Sequence, residues 1–363
     1  MSMWYDEEDC GKGPGHWIDS AISHAFHGGF HRDALLNELS PCDWRTRRRV
    51  WWSCFARDRL LSLAWGRPSI IKEEDFDVPP LSEDDFKFEE DTQFGTSGLS
   101  LGFWQNRSKR ARFIRLYIAT VDLCRHLSNT SETYRHSPLS KSTIDAVDFS
   151  RILRLDNRCS QQGSDTELLQ WHDSLTLSGK SGDSLLLVLK ENDPVKLQEV
   201  SLELLYYAAT SFIYRSRFTF LSDNALFDPE RERVRMCMMY AAWRISDMAA
   251  SIHKANMANL LPPTLITSAL LGAAVHLVDM NRDQQVAKGQ SHEGFSRCLQ
   301  LLDDMKEVHG AAYVAEGALS WALDGLSERH QMLCPPSDAA EAELLPGFGV
   351  YDEELFSITG LFA

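Results

Sequence analysis

Apolar residues in this 363-residue chain recur three and four positions apart along most of its length, and two-residue alternation is almost absent. That period is the surface repeat of an α-helix, so the chain is expected to fold as helices packed on helices. The punctuation agrees. "HWIDSAISHAFH" is closed by Gly28-Gly29. The next helix opens with Ser40 as N-cap, Pro41 in the first helical position and Asp43 completing an S-x-x-D capping box. It is expected to end at Gly66, with Pro68 just beyond. Asp228-Pro229 repeats the cap-and-proline opening. Further helices are expected over 103–127, 143–155, 165–177, 195–218, 229–255, 263–280, 291–308 and 311–328. Polar or Gly/Ser-rich breaks fall near 82–100, 128–141, 156–164 and 178–184. No internal repeat is visible. The expected fold is all-α: a single large domain of roughly ten helices with long polar loops over residues 1–330. An acidic-hydrophobic tail follows over 331–363.

Charge narrows the function. The formal net charge is -15, which opposes duplex DNA binding by the chain as a whole. The eight cysteines include no C-x-x-C pair, so no zinc knuckle, ribbon or redox pair is readable. Several lie in apolar helical patterns, where a free cysteine acts as a small hydrophobe, and a reducing compartment is expected. "MSMWYDEEDCGKGPG" is acidic and has no apolar core, unlike a signal peptide. "LLPPTLITSALLGAAVHLVDM" is too short after Pro263, and too interrupted by Thr, Ser and His, for a membrane span. No G-x-S-x-G, P-loop or G-x-G-x-x-G is present.

The stretch "RTRRRVWWSCFARDRLLSLAWGRPSIIKEEDFDVPPL", Arg45 to Leu81, holds most of the unusual chemistry. On a helix, Trp51, Cys54, Phe55, Asp58, Leu61 and Trp65 form one apolar stripe with a carboxylate in its middle. A buried carboxylate needs a cation or a set of donors. Arg59 is adjacent and neighbouring positions do not share a face, so Arg67 or another helix is the expected partner. A polar site in a ligand cavity is one reading; an ion pair locking helix to loop is preferred. Arg45, Arg47, Arg48 and Arg49 are read as solvated side chains covering aromatic surface rather than as a nucleic-acid patch. Glu73, Glu74, Asp75 and Asp77 raise a magnesium site of the terpene-cyclase kind. Their loop context argues against it, as does the lack of a second motif: Asp247 and Ser251 are followed by Ala255. His24, His27 and His31 would share a face as zinc ligands only if the helix ran through Gly28-Gly29.

These residues carry a resemblance. "RRRVWWSCFARDRLLSLAWGRPSIIKEEDFDVPPL" is similar to the signature of the fungal-specific transcription factor domain, the middle homology region of fungal zinc-cluster regulators. It is closest to the cutinase transcription factor branch. "HWIDSAISHAFHGGFHRD" resembles the family's W-x-x-x-x-A-I-S-x-A-x-x-x-G-L-H-R-D segment, with Phe30 where leucine is usual. "LLQWHDSL", "LELLYYAATSFIYR", "AAWRISDMAASI" and "LPPTLITSALLGAAVHLVDM" fit its later helices more diffusely. The signature positions are Arg49, Trp51, Trp52, Asp58, Arg59, Gly66, Arg67, Pro68, Asp75, Asp77 and Pro79. The resemblance implies a core helix and following loop here, with neither catalytic residues nor a metal site. It places DNA contact in a separate N-terminal module of six cysteines around two zinc ions. That module is absent from this sequence, and Met1 is read as starting inside the domain. Zinc is therefore expected only in that module, and no cofactor in this chain.

The implied role is regulation of transcription in the nucleus through co-regulator or transcription-machinery contacts, with a small-molecule effector and no enzymatic activity. The alternative is a stand-alone derivative that binds a small molecule, or acts as an enzyme, in a secondary-metabolite pathway. The tail adds a candidate activation segment, with packing of Leu355, Phe356 and Phe362 back onto the helical body as the equal alternative. It interleaves acidic residues with Leu344, Leu345, Phe348, Leu355 and Phe356, and the chain has no lysine or arginine after Arg329. Oligomeric state is left open by the sequence. One prediction follows from the net charge and the lack of any zinc-cluster cysteine spacing: the chain does not bind duplex DNA sequence-selectively. In a titration at physiological salt, affinity stays weaker than roughly micromolar and sequence-independent; tighter, selective binding contradicts this reading.

Overall fold

The computed structural model describes residues 14–33, 40–65, 68–87, 106–135, 161–175, 193–220, 229–280 and 285–333. Among them nine α-helices follow one another and no strand occurs. They are α1 (Pro14–His27), α2 (Pro41–Trp65), α3 (Arg107–Arg135), α4 (Gln161–Ser174) and α5 (Pro194–Phe220). Then come α6 (Pro229–Ala255), α7 (Leu265–Met280), α8 (Gln285–Met305) and α9 (Gly310–Leu333). Three single 3-10 turns lie at Glu73–Asp75, Glu83–Phe86 and Ala258–Leu260. The fold is all-α. The helix expected at 143–155 lies outside the described residues, as do Asp228 and residues 334–363.

Local chemistry sets the helix ends. Ser40 Oγ accepts the Asp43 N–H at 3.2 Å and donates to Asp43 Oδ2 at 2.8 Å, closing the expected cap. α1 ends in a Schellman arrangement. The Phe30 N–H reaches Ala25 O at 2.9 Å, the Gly29 N–H reaches Phe26 O at 3.0 Å, and Gly29 takes φ 71. A left-handed residue there favours glycine, so this pair stops the helix before His31. The break expected from 128 is helical instead, since α3 continues to Arg135. Ser, Asn and Thr lower helix propensity only slightly, and that prior yields to continuing packing upstream. α8 starts at Gln285, ahead of the expected 291.

Two packed clusters form the interior. The smaller joins Ile18, Ile22 and Ala25 of α1 with Trp51, Trp52 and Phe55 of α2, Ile71, Val78 and Leu81 beyond it, and Val121 and Cys124 of α3. The larger runs from Leu63 through α3 to α9. α3 is the shared wall. Leu116, Ala119, Leu123 and Leu127 face the larger cluster, while Val121 and Cys124 face the smaller. At 100° per residue, these two sets lie on different sides of one helix.

α7 is the centre of the larger cluster, with all but its last turn buried nearly all round. α7 is 16 residues long, and among the described residues no helix is long and apolar enough to cross a membrane. Close approach is built in. A Cβ on Gly272 would sit 2.8 Å from Ile245 Cγ2, and one on Gly294 would sit 2.3 Å from His276 Nε2. Two ion pairs, one half-buried and one buried, then fix α5 against its neighbours. Arg112 donates to Glu199 Oε1 from Nε (3.0 Å) and Nη2 (2.8 Å). Arg244 donates to Glu203 Oε1 (3.1 Å) and to the Tyr207 hydroxyl (3.2 Å).

Candidate functional site

The segment after α2 retraces that helix in the opposite direction. Its backbone meets the C-terminal half of α2 at Ile70 and Ile71, the middle at Pro79, and the first turns at Asp85 and Lys87. Twenty residues with no helix or strand longer than a turn need donors and acceptors for their backbone, and α2 supplies them from four charged side chains.

Asp58 holds the first crossing. It is fully buried, and its carboxylate accepts the Ile70 N–H at 3.0 and 3.1 Å and the Ile71 N–H at 3.0 Å. Arg59 Nη1 donates to Asp58 Oδ2 at 2.9 Å, and its Nη2 donates to Ile71 O at 2.6 Å. The cation is therefore the adjacent residue, against the expectation that neighbours on a helix cannot pair. The reason is the length of the arginine stem. Its guanidinium curls back over the Phe55 ring, 4.4 Å from the centroid, which brings it to the Asp58 side. Gly66 and Arg67 lie outside the described residues, and Pro68 is exposed.

Arg48 holds the second crossing. It is buried, not solvated as expected of the arginine run, and pairs with fully buried Asp85 at 2.9 Å. It also donates to Pro79 O at 3.1 Å and to Pro80 O. Trp52 Nε1 donates to Pro79 O at 2.9 Å. Proline carries no N–H, so the pair adopts an extended path that offers only acceptors, and α2 provides the donors. Asp85 closes its own turn, accepting the Ser82 N–H at 2.7 Å and its hydroxyl at 3.1 Å.

The other three arginines fit the expected role more closely. Arg47 lies over Phe30 and donates to Gly28 O at 3.1 Å. Arg49 lies 5.9 Å from the Phe86 centroid and donates to Thr46 Oγ1 at 3.0 Å. Arg45 donates to Lys87 O at 2.9 Å.

Phe76 fills the space between the crossings, 5.3 Å from Trp51, 5.6 Å from Trp52 and 5.7 Å from Phe55 by ring centroids. Trp51 also meets Phe26 edge-on at 5.3 Å. The stripe on α2 is thus an understatement. Trp52, Ala56, Arg57 and Arg59 are buried as well, because α1, the returning segment and α3 enclose the helix, and Leu63 is buried in the larger cluster. Burial shifts the ionisable groups here. It pushes the Arg57 guanidinium down to about 10, raises the Cys54 thiol, and raises the Cys124 thiol to about 12. It also raises the Tyr117 hydroxyl, outweighing the hydrogen bond to Ser53 at 2.7 Å. Both thiol shifts disfavour the thiolate, the reactive form of cysteine.

The acidic residues after Lys72 do structural duty. Asp75 Oδ2 accepts the Lys72 N–H at 3.1 Å, and Asp77 Oδ1 accepts the Asp33 N–H at 2.7 Å. The Asp77 N–H returns to His31 O at 3.2 Å, tying this segment to the exit of α1. His31 packs against Phe26 at 4.8 Å and is lowered by burial, then by Arg32. Among the described residues no three His, Cys, Asp or Glu side chains gather as a metal would require. The tail positions Leu344, Leu345, Phe348, Leu355 and Phe356 lie outside the described residues.

Removing Asp58 strands a buried guanidinium and two amide N–H groups. Asp58→Ala is expected to cost about 3–5 kcal/mol in denaturant melts, with Asp85→Ala in the same range for the same reason. A loss below about 0.5 kcal/mol at either position, the level of an ordinary surface site, would show that the crossing is not buried and paired in solution.

Comparison with known proteins now adds to this geometry. Residues 2–178 match the family described as "Fungal specific transcription factor domain". Cutinase transcription factor 1 beta of Fusarium vanettenii is 30% identical over 337 residues, covering 89% of this chain and 38% of that protein. A transcription factor of Fusarium pseudograminearum is 26% identical over 326 residues, covering 86% of this chain and 36% of its own length. The acetamidase regulatory protein of Aspergillus oryzae is 35% identical over 90 residues, covering 24% of this chain and 12% of that protein. The chain thus spans well under half the length of these relatives. No solved structure matches it. The part of the chain that is similar to the fungal specific transcription factor domain family, residues 2–178, includes both crossings over α2.

Proposed function

We propose that this chain is the regulatory body of a fungal zinc-cluster-type transcription regulator, acting in the nucleus through contacts with co-regulators or the transcription machinery. The observation that carries this reading is the likeness to cutinase transcription factor 1 beta over 89% of the chain. The chemistry of the α2 crossings is consistent with it. Arg48, Asp58, Arg59 and Asp85 face inward onto backbone groups or each other, as an architectural element requires and a catalytic centre does not. A net charge of -15 suits protein contacts better than direct contact with DNA. In this reading a small-molecule effector acts by shifting how the helical body presents its tail.

Residues 331–363 supply the output in this proposal. Acidic side chains keep the segment solvated, and Leu344, Leu345, Phe348, Leu355 and Phe356 offer the apolar contacts for a partner groove. The test fuses residues 331–363 to a heterologous DNA-binding domain and measures reporter output. Activation above the DNA-binding domain alone is expected, falling when Leu355 and Phe356 are both changed to alanine. Output no higher than the DNA-binding domain alone, at verified expression, would refute the activation role.

A further inference from the structure

α9 presents two unlike faces. Ala312, Ala315, Leu319 and Ala322 are buried in the larger cluster, against α7 and α8. On the other side Tyr313 is 69% exposed and Trp321 59%, with Val314, Gly317 and Ser320 between them. Large aromatic side chains left this open on a soluble surface mark a contact waiting for a partner. We propose that this face of α9 is a homodimer interface, in which a second copy of the chain crosses antiparallel at Gly317.

The arrangement of the face selects a second copy. Tyr313 and Trp321 lie four residues before and after Gly317, about 6 Å along the axis on either side. Val314 and Ser320 lie three before and after. A twofold axis at Gly317 that reverses the helix direction brings Tyr313 level with the partner's Trp321, and Val314 level with the partner's Ser320. Both large residues then meet twice, as an isologous interface requires. Gly317 itself has no atom within 4 Å of where a Cβ would sit, so the two backbones can approach closely there.

Charge points the same way. A chain of net charge -15 repels its own copy across most of its surface, so a self-contact needs a stretch free of unpaired carboxylates. Between Gly310 and Leu323 the only ionisable carboxylate is Glu316, and it is paired with Lys306. Lys306 Nζ, 5.6 Å from the Tyr313 ring centroid, is itself held by Glu316 and Asp303, so this stretch carries no unpaired carboxylate to oppose a second copy. Opposed helix dipoles favour the antiparallel sense. The two aromatic side chains and the residues between them, counted from both copies, bury on the order of 1,000 Å², the lower limit of specific interfaces. Association in the micromolar range is the expectation.

Sedimentation equilibrium of the full chain from roughly 1 to 200 µM tests this, a span that brackets an interface of that size. The weight-average mass is expected to rise from 41.2 kDa toward twice that value. Gly317→Glu is expected to remain monomeric throughout, with an unchanged thermal melt, since the added side chain enters open space in the monomer. Ser320→Glu serves as a second variant at an exposed position and is expected to weaken association at least tenfold. A wild-type chain that stays monomeric to the highest concentration would overturn the proposal. So would a dimer whose midpoint neither variant moves, since that dimer uses another face.

Discussion

The Asp58 carboxylate accepts the backbone amides of Ile70 and Ile71 from inside an apolar cluster, and the path of everything between α2 and α3 in the described chain depends on it. Burying a carboxylate and a guanidinium costs several kcal/mol per ion, and their mutual attraction roughly offsets that only when every remaining donor and acceptor is met. Here Arg59 meets the carboxylate and the Ile71 carbonyl, and Ile70 and Ile71 supply the other donors. The net contribution to stability is therefore small, while the cost of a missing member is large. Stability comes instead from burial of Trp51, Trp52, Phe55 and Ile71, with Phe76 half-buried against them, at about 1.5–3 kcal/mol for each fully buried Phe or Ile. The ion pair decides which path the segment takes, and the aromatic cluster makes that path stable.

The second crossing repeats the logic with different chemistry. Two prolines remove donors, Arg48 and Trp52 replace them, and Asp85 neutralises the arginine. With both ends held, Val78 and Leu81 are pressed into the smaller cluster, and that cluster is braced by Val121 and Cys124 of α3. Because α3 also carries part of the larger cluster, the two interiors share a wall.

How much of this was legible in the sequence depended on range. Helical spacing gave the helices, and Ser40, Gly28 and Gly29 gave their ends, because those signals are local. Asp58 stood out as a charge in an apolar stripe. Its partner did not, because the face argument treats side chains as fixed spokes while an arginine stem bends back over the preceding turn. Arg48 was hidden among four arginines that look alike in sequence, and only the return of Asp85 distinguishes it. Ser82-x-x-Asp85 has the same capping pattern as Ser40-x-x-Asp43 and was the available clue, but it fell within a stretch read as a polar break. Pairings across thirty-seven residues require the path of the segment, which no local pattern contains.

Amide hydrogen exchange at Ile71 tests the central claim most directly. Its N–H donates to Asp58 within a fully buried residue, so it should exchange only through sub-global or global opening, as slowly as helical core amides. In Asp58→Asn, which keeps the shape and removes the charge, its protection should fall by roughly 10- to 100-fold, the worth of a hydrogen bond to a charged acceptor. Exchange at Ile71 in the wild-type chain at the rate of an open loop amide would contradict the account, because the segment would then not be held by α2 at all.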